Sequence, residues 1–165
     1  NVSRPILWQT RAGYSFASIG LSAIELMLQV YLLELYIIAG LEPSLAGLAI
    51  ATAVIWDAVS DPAMGILSDK TPASSVKGKR VPYLIAGAGI IGFAFYFLFN
   101  PPSNTEQSSL FSNLLIWYLV VNTAMTLFSV PHLSVINDLS NTEQERATFF
   151  GWRIVAGSVG LLLGI

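Results

Sequence analysis

The sequence predicts an all-α integral membrane protein, on three observations. Of its 165 residues, 54% are hydrophobic and only 11% are charged, where a soluble domain carries roughly 25% charged residues. The mean hydropathy is +0.65. The apolar residues gather into five long stretches, each near or above the roughly 20 residues that a helix needs to cross a bilayer. None has the period-two alternation of a barrel strand, and only helices or closed barrels satisfy their backbone in lipid. The chain has no cysteine, which excludes a disulfide framework, a thiolate metal site and a cysteine nucleophile.

The first span covers about 13–39. Ser15, Ser18, Ser22, Glu25 and Gln29 follow a spacing of three and four, which is one helix face, and Ile19, Leu21, Ile24, Leu26 and Met27 around them are apolar. That face lines a polar cavity or packs on another polar helix. Glu25 sits in mid-span without a local partner and is the most informative member. Glu34 lies nearer the outer surface and is expected to snorkel.

The second span, about 45–67, holds "AVIWDAVSDPAMG" from Ala53 to Gly65. Asp57 and Asp61 are four residues apart, so they share a face. A carboxylate near the bilayer centre costs roughly 2.5–3.5 kcal/mol, and two ionised ones repel. A bound cation, a proton or a facing basic residue offsets that cost. Pro62 removes a helical hydrogen bond, so Ser60 and freed carbonyls can add oxygen ligands that suit Na⁺ or Li⁺. The competing readings are an ion pair that locks helices, or a position at the cytoplasmic interface.

The third span, about 81–99, is apolar throughout. The fourth, about 110–136, carries Asn122, Thr126 and Ser129 at i, i+4 and i+7, then a kink signal at Val130-Pro131. His132, the only histidine, reads as a packed hydrogen-bonder. The fifth span begins near 147 and runs to Ile165, with Arg153 about two turns in. Arg153 either snorkels to the cytoplasm or reaches inward to an acid.

The charges orient the spans. All eight cations lie in the N-terminal tail (Arg4, Arg11), the second loop (Lys70, Lys77, Lys79, Arg80), or the fourth loop and start of the fifth helix (Arg146, Arg153). The first and third loops hold only Glu42 and Glu106. The positive-inside rule makes the N-terminus and the second and fourth loops cytoplasmic.

"WDAVSDPAMGILSDKT", followed by "GKRVPYLIAG", resembles the second helix and following loop of the glycoside–pentoside–hexuronide:cation symporters, the melibiose permease-like family of the major facilitator superfamily. "FSVPHLSVINDLSNTEQERATFFGWR" resembles that family's fourth helix, loop and fifth-helix arginine. The resemblance covers nearly the whole chain and implies the N-terminal half of a superfamily transporter, with about five of twelve helices. It implies that Asp57 and Asp61 carry the coupling cation, with Thr126 nearby, and that Arg153 contacts substrate or an acid beside it. Gly65, Asp69, Gly78, Lys79 and Arg80 match the superfamily's cytoplasmic gating motif. The family's two sugar-binding aspartates fall at Ser22 and Ser129 here, a departure that removes two acceptors for sugar hydroxyls. Glu25, one turn from Ser22, is the candidate replacement.

These readings give a cation-coupled symporter of a sugar, glycoside or related small organic solute, working by alternating access, with no enzymatic activity. Ser18, Ser22, Glu25, Gln29, Asn122, Ser129 and Arg153 are the candidate substrate-cavity residues. The coupling ion is Na⁺, or else Li⁺ or H⁺, and no cofactor is expected. Expected partners are a small-molecule substrate, the lipid bilayer and the missing C-terminal half of the same chain, with no nucleic acid. A sodium-coupled lysophospholipid transporter is the nearest alternative, since that group shares the paired-acid motif. A non-transporting membrane partner or sensor, and a metal-dependent membrane phosphotransferase, are the alternatives from other classes. The phosphotransferase would need more carboxylates than "WDAVSDPAMG" supplies.

Overall fold

The computed structural model describes residues 8–70, 81–103, 106–139 and 143–164, with side-chain surroundings for all of these except 8–12, 14, 69 and 134–139. They form five helices: α1 (Trp8–Ile38), α2 (Pro43–Lys70), α3 (Val81–Leu98), α4 (Gln107–Leu139) and α5 (Glu143–Leu163). α1 to α4 each contain a stretch long and apolar enough to cross a membrane: Ser15–Ile38, Pro43–Ser68, Val81–Leu98 and Gln107–Leu133. The expected fifth span is a helix, but among the described residues it does not reach that hydropathy. Its first three turns hold Glu143, Glu145, Arg146 and Arg153. The two acids favour the start of a helix, where backbone N–H groups carry partial positive charge, so α5 begins four residues before the apolar stretch.

Local chemistry sets the α1–α2 turn. The Leu41 N–H donates to the Tyr36 carbonyl (2.9 Å) and the Gly40 N–H to the Ile37 carbonyl (3.0 Å), the paired bonds of a Schellman cap. Gly40 has φ 104°, a left-handed conformation that glycine adopts without a Cβ clash. The Glu42 carbonyl then accepts from the Leu45 and Ala46 N–H groups, both at 3.0 Å. Pro43 follows at the first helical position, where its missing N–H leaves no bond unmade. Pro62 and Pro131 lie inside α2 and α4, and both helices run on through them.

The chain divides into two units, one made of Asn1–Val30 with His132–Ile165 and the other of Tyr31–Pro131. In the first unit, α5 lies close against α1. A Cβ on Gly160 would overlap the Ile19 carbonyl, and one on Gly157 would sit 3.1 Å from Ser22 Oγ. Small residues allow such backbone approach between membrane helices.

In the second unit the core draws on every helix. Leu32 and Tyr36 of α1, Ala46, Ala49 and Ala53 of α2, Leu98 of α3, and Leu110 and Leu114 of α4 are all fully buried. The Tyr36 hydroxyl donates to the Leu98 carbonyl (2.9 Å) and also meets Asn113 Oδ1. Gln107 clips the α1–α2 turn: its Nε2 donates to the Gly40 carbonyl (2.7 Å), and its Oε1 accepts the Glu42 N–H (2.9 Å). Large apolar side chains, including Ile55, Val59, Ile85 and Phe93, point outward. That pattern suits a hydrocarbon surrounding rather than water.

Candidate functional site

The candidate cation residues lie on α2 and α4 in the second unit. Asp57 is about 2 Å along the helix axis from the middle of the Pro43–Ser68 stretch, and Asp61 about 8 Å. Thr126 Oγ1 donates to Asp61 Oδ1 at 2.8 Å. Thr126 and Asn122 are both buried. Asp57 is half-buried, and its Oδ1 is shielded from solvent with no hydrogen-bond partner. The two carboxylates are near enough to repel. Among the described residues, neither acid has a lysine or arginine partner. The structure thus brings Asp57, Asp61 and Thr126 together as two carboxylates and a hydroxyl.

One expectation for this region changes. The Ser60 hydroxyl faces the backbone carbonyl of Asp57 (3.5 Å), and so lies along its own helix rather than toward the acids' carboxyl groups. Conversely, sequence reasoning missed Tyr118, whose side chain hydrogen-bonds Asn122 and lies within electrostatic reach of Asp57. Tyr118, Asn122 and Thr126 recur every four residues, so the stripe on α4 extends one turn further than the polar residues alone suggest. Ser129 continues it and is half-buried.

Trp56, which the polar spacing does not mark, also joins α2 to α4. Its Nε1–H donates to Thr123 Oγ1 (2.9 Å), and Thr123 donates to the Leu119 carbonyl (2.7 Å). Trp56, Ile90, Leu119, Val120, Thr123, Ala124 and Leu127 line an open, almost wholly apolar groove of about 300 Å³.

The other candidate residues lie in the first unit. Glu25 is near the middle of the Ser15–Ile38 stretch and interacts electrostatically with Arg153. Arg153 also acts on His132, which is buried with its Nε2 3.5 Å from Ser18 Oγ. Ser18 is buried, whereas Glu25 and Gln29 are exposed, and Ser22 faces α5 at Gly157.

Of the gating residues, Gly65 is half-buried, with its Cβ position 4.0 Å from Val130 of α4. Asp69 lies in the last turn of α2, with its side chain outside the described set. Gly78, Lys79 and Arg80 lie outside the described residues. Among the described residues, no three His, Asp or Glu side chains converge as a metal site.

The chain matches a family described as MFS/sugar transport protein over residues 13–165. It is 28% identical over 142 residues to a sodium-dependent lysophosphatidylcholine symporter 1-B of Danio rerio, covering 86% of this chain and 26% of that protein. It is 30% identical over 145 residues to the sodium-dependent lysophosphatidylcholine symporter 1 of Mus musculus, with the same coverage of 86% and 26%. An uncharacterized symporter, sll1374, of Synechocystis is 27% identical over 164 residues, covering 94% of this chain and 29% of that protein. The chain therefore spans 26–29% of the length of these relatives. With four helices apolar enough to span a membrane and a family match over residues 13–165, this is an integral multi-pass membrane protein that belongs to the MFS/sugar transport protein family.

Proposed function

We propose that the protein is a sodium-coupled symporter of a small organic solute and that Asp57, Asp61 and Thr126 hold the cation. The observation that carries this reading is the acid pair in mid-α2, with Asp61 bonded to Thr126 and Asp57 Oδ1 left without a partner. Two carboxylates in hydrocarbon need compensating positive charge. With no lysine or arginine on either acid among the described residues, a monovalent cation supplies it, Na⁺ in preference to Li⁺ or H⁺. The names of the vertebrate relatives, sodium-dependent symporters, support the choice of ion.

Coupling follows from linkage. If the cation raises substrate affinity, substrate must raise cation affinity by the same factor. Ser18, Ser22, Glu25, Gln29, Asn122, Ser129 and Arg153 are proposed to face the solute. Alternating access needs two bundles that rock about a site between them, so further helices must complete the transporter. The N-terminus and the loops at 68–80 and 137–146 face the cytoplasm in this reading. The reading leaves the chain no enzymatic step.

The first substrate class is a sugar or glycoside, as the family description suggests. The second is a lysophospholipid, favoured by serine rather than aspartate at 22 and 129 and by the apolar groove beside Trp56. The test is uptake by the natural full-length protein in proteoliposomes, using a labelled glycoside and a labelled lysophosphatidylcholine with and without an inward Na⁺ gradient. Gradient-dependent uptake of either supports symport and selects the class. Uptake of a solute that ignores Na⁺, Li⁺ and pH gradients alike would refute cation coupling.

A further inference from the structure

We infer that the Trp56–Thr123 hydrogen bond fixes α2 against α4 at the acid pair and thereby sets the preference between Na⁺ and Li⁺; this rests on the cation site proposed above. Trp56 immediately precedes Asp57 and lies at the middle of its membrane stretch. In hydrocarbon there is no water to take the indole N–H, so the bond to Thr123 Oγ1 (2.9 Å) satisfies it. Thr123 gives its own proton to the Leu119 carbonyl (2.7 Å), which leaves its oxygen as the acceptor. The indole is thus anchored through one hydroxyl to the backbone of α4.

One turn further along α4, Thr126 donates to Asp61 (2.8 Å). Two side-chain bonds therefore join the same pair of helices on either side of Asp57. α2 cannot rotate or slide past α4 there without breaking one of them. Asp57 Oδ1, the oxygen without a partner, sits within that bracket. Selectivity between hard cations depends on the size and stiffness of the oxygen cage. A stiff bracket holds the oxygens at a spacing that suits Na⁺, and a loosened one contracts around the smaller Li⁺. Trp56 is a positioning residue in this scheme, acting through helix placement rather than as a ligand.

The experiment measures thermal midpoints of the natural full-length protein in detergent, titrating NaCl or LiCl against choline chloride at constant ionic strength. Trp56→Phe keeps an aromatic ring in the groove and loses the N–H. Thr123→Val keeps the shape and loses the hydroxyl, and Thr123→Ser restores it. Trp56→Phe and Thr123→Val should each raise the half-effect Na⁺ concentration about 3- to 10-fold, the factor carried by a net hydrogen bond, and lower the Na⁺-over-Li⁺ preference. The double variant should be no worse than either single one, because both remove the same interaction. Thr123→Ser should behave like the wild type.

Unchanged concentrations and unchanged ion preference in Trp56→Phe and Thr123→Val would overturn the inference, as would full additivity in the double variant. Asp61→Asn is run alongside. If it keeps the Na⁺ response, the cation site itself is wrong. If it abolishes the response while Thr123→Val and Thr123→Ser behave alike, only the positioning role fails. The two threonine variants also decide the matter should Trp56→Phe not fold.

Discussion

Replacing Thr126 by valine isolates one hydroxyl. Valine has the same branching, and Thr126 is only 5% exposed, so the packing is kept and the polar contact is lost. That contact is a 2.8 Å hydrogen bond to Asp61 Oδ1. A bond to a charged group contributes about 1.5–3 kcal/mol, or about 10- to 150-fold in the equilibrium it supports. If the same hydroxyl also holds the cation, as proposed, apparent Na⁺ affinity should fall by a factor in that range. At a Na⁺ concentration about 100 times the dissociation constant, binding stabilises the wild type by about 2.7 kcal/mol. A site about 30-fold weaker is then near 3 times its own constant and retains about 0.9 kcal/mol. The Na⁺-induced rise in Tm, read against choline chloride, should shrink to about a third. Thr126→Ser keeps the hydroxyl and should keep most of the rise. A full Na⁺ response in Thr126→Val would refute the assignment of Thr126 to the site.

Three further outcomes follow from the same geometry. Asp57→Asn removes a charge from mid-membrane and relieves repulsion with Asp61, so the variant should melt higher than the wild type in choline chloride yet lose the Na⁺-induced rise; a lower Tm in choline would argue for a structural acid pair. Gly160→Leu should destabilise by about 1–3 kcal/mol, the usual overpacking cost, because its Cβ meets the Ile19 backbone; an unchanged Tm would mean that α1 and α5 do not approach there. Tyr36→Phe leaves the fully buried Leu98 carbonyl region without its donor and should cost about 1–3 kcal/mol, read as a fall in Tm equal in NaCl and choline chloride.

Much of the helical layout was legible because hydrocarbon imposes a coarse rule. A spanning segment must be long and apolar, and α1 to α4 obey it. α5 was harder, since Glu143, Glu145, Arg146 and Arg153 make its first turns polar while leaving them helical. Asp57 and Asp61 stood out because polar groups in apolar runs are conspicuous, whereas only the family resemblance set Thr126 beside them, where its hydroxyl bonds Asp61. Contacts made by unremarkable residues were not legible. Nothing in the periodicity pairs Trp56 with Thr123, 67 residues away, or sends Gln107 to the Gly40 turn. Ser60 looked like a ligand from its position, but its hydroxyl lies along its own helix. Pro62 and Pro131 fall inside spans that the hydropathy carries through them, and a single missing N–H ends neither helix.

The most direct test of the central claim is equilibrium binding of radioactive Na⁺ to the purified natural full-length protein, compared with Asp57→Asn and Asp61→Asn. The account predicts saturable binding that Li⁺ displaces and that each substitution abolishes while the protein stays folded. Saturable Na⁺ binding of unchanged affinity in both variants would contradict it and move the cation away from α2.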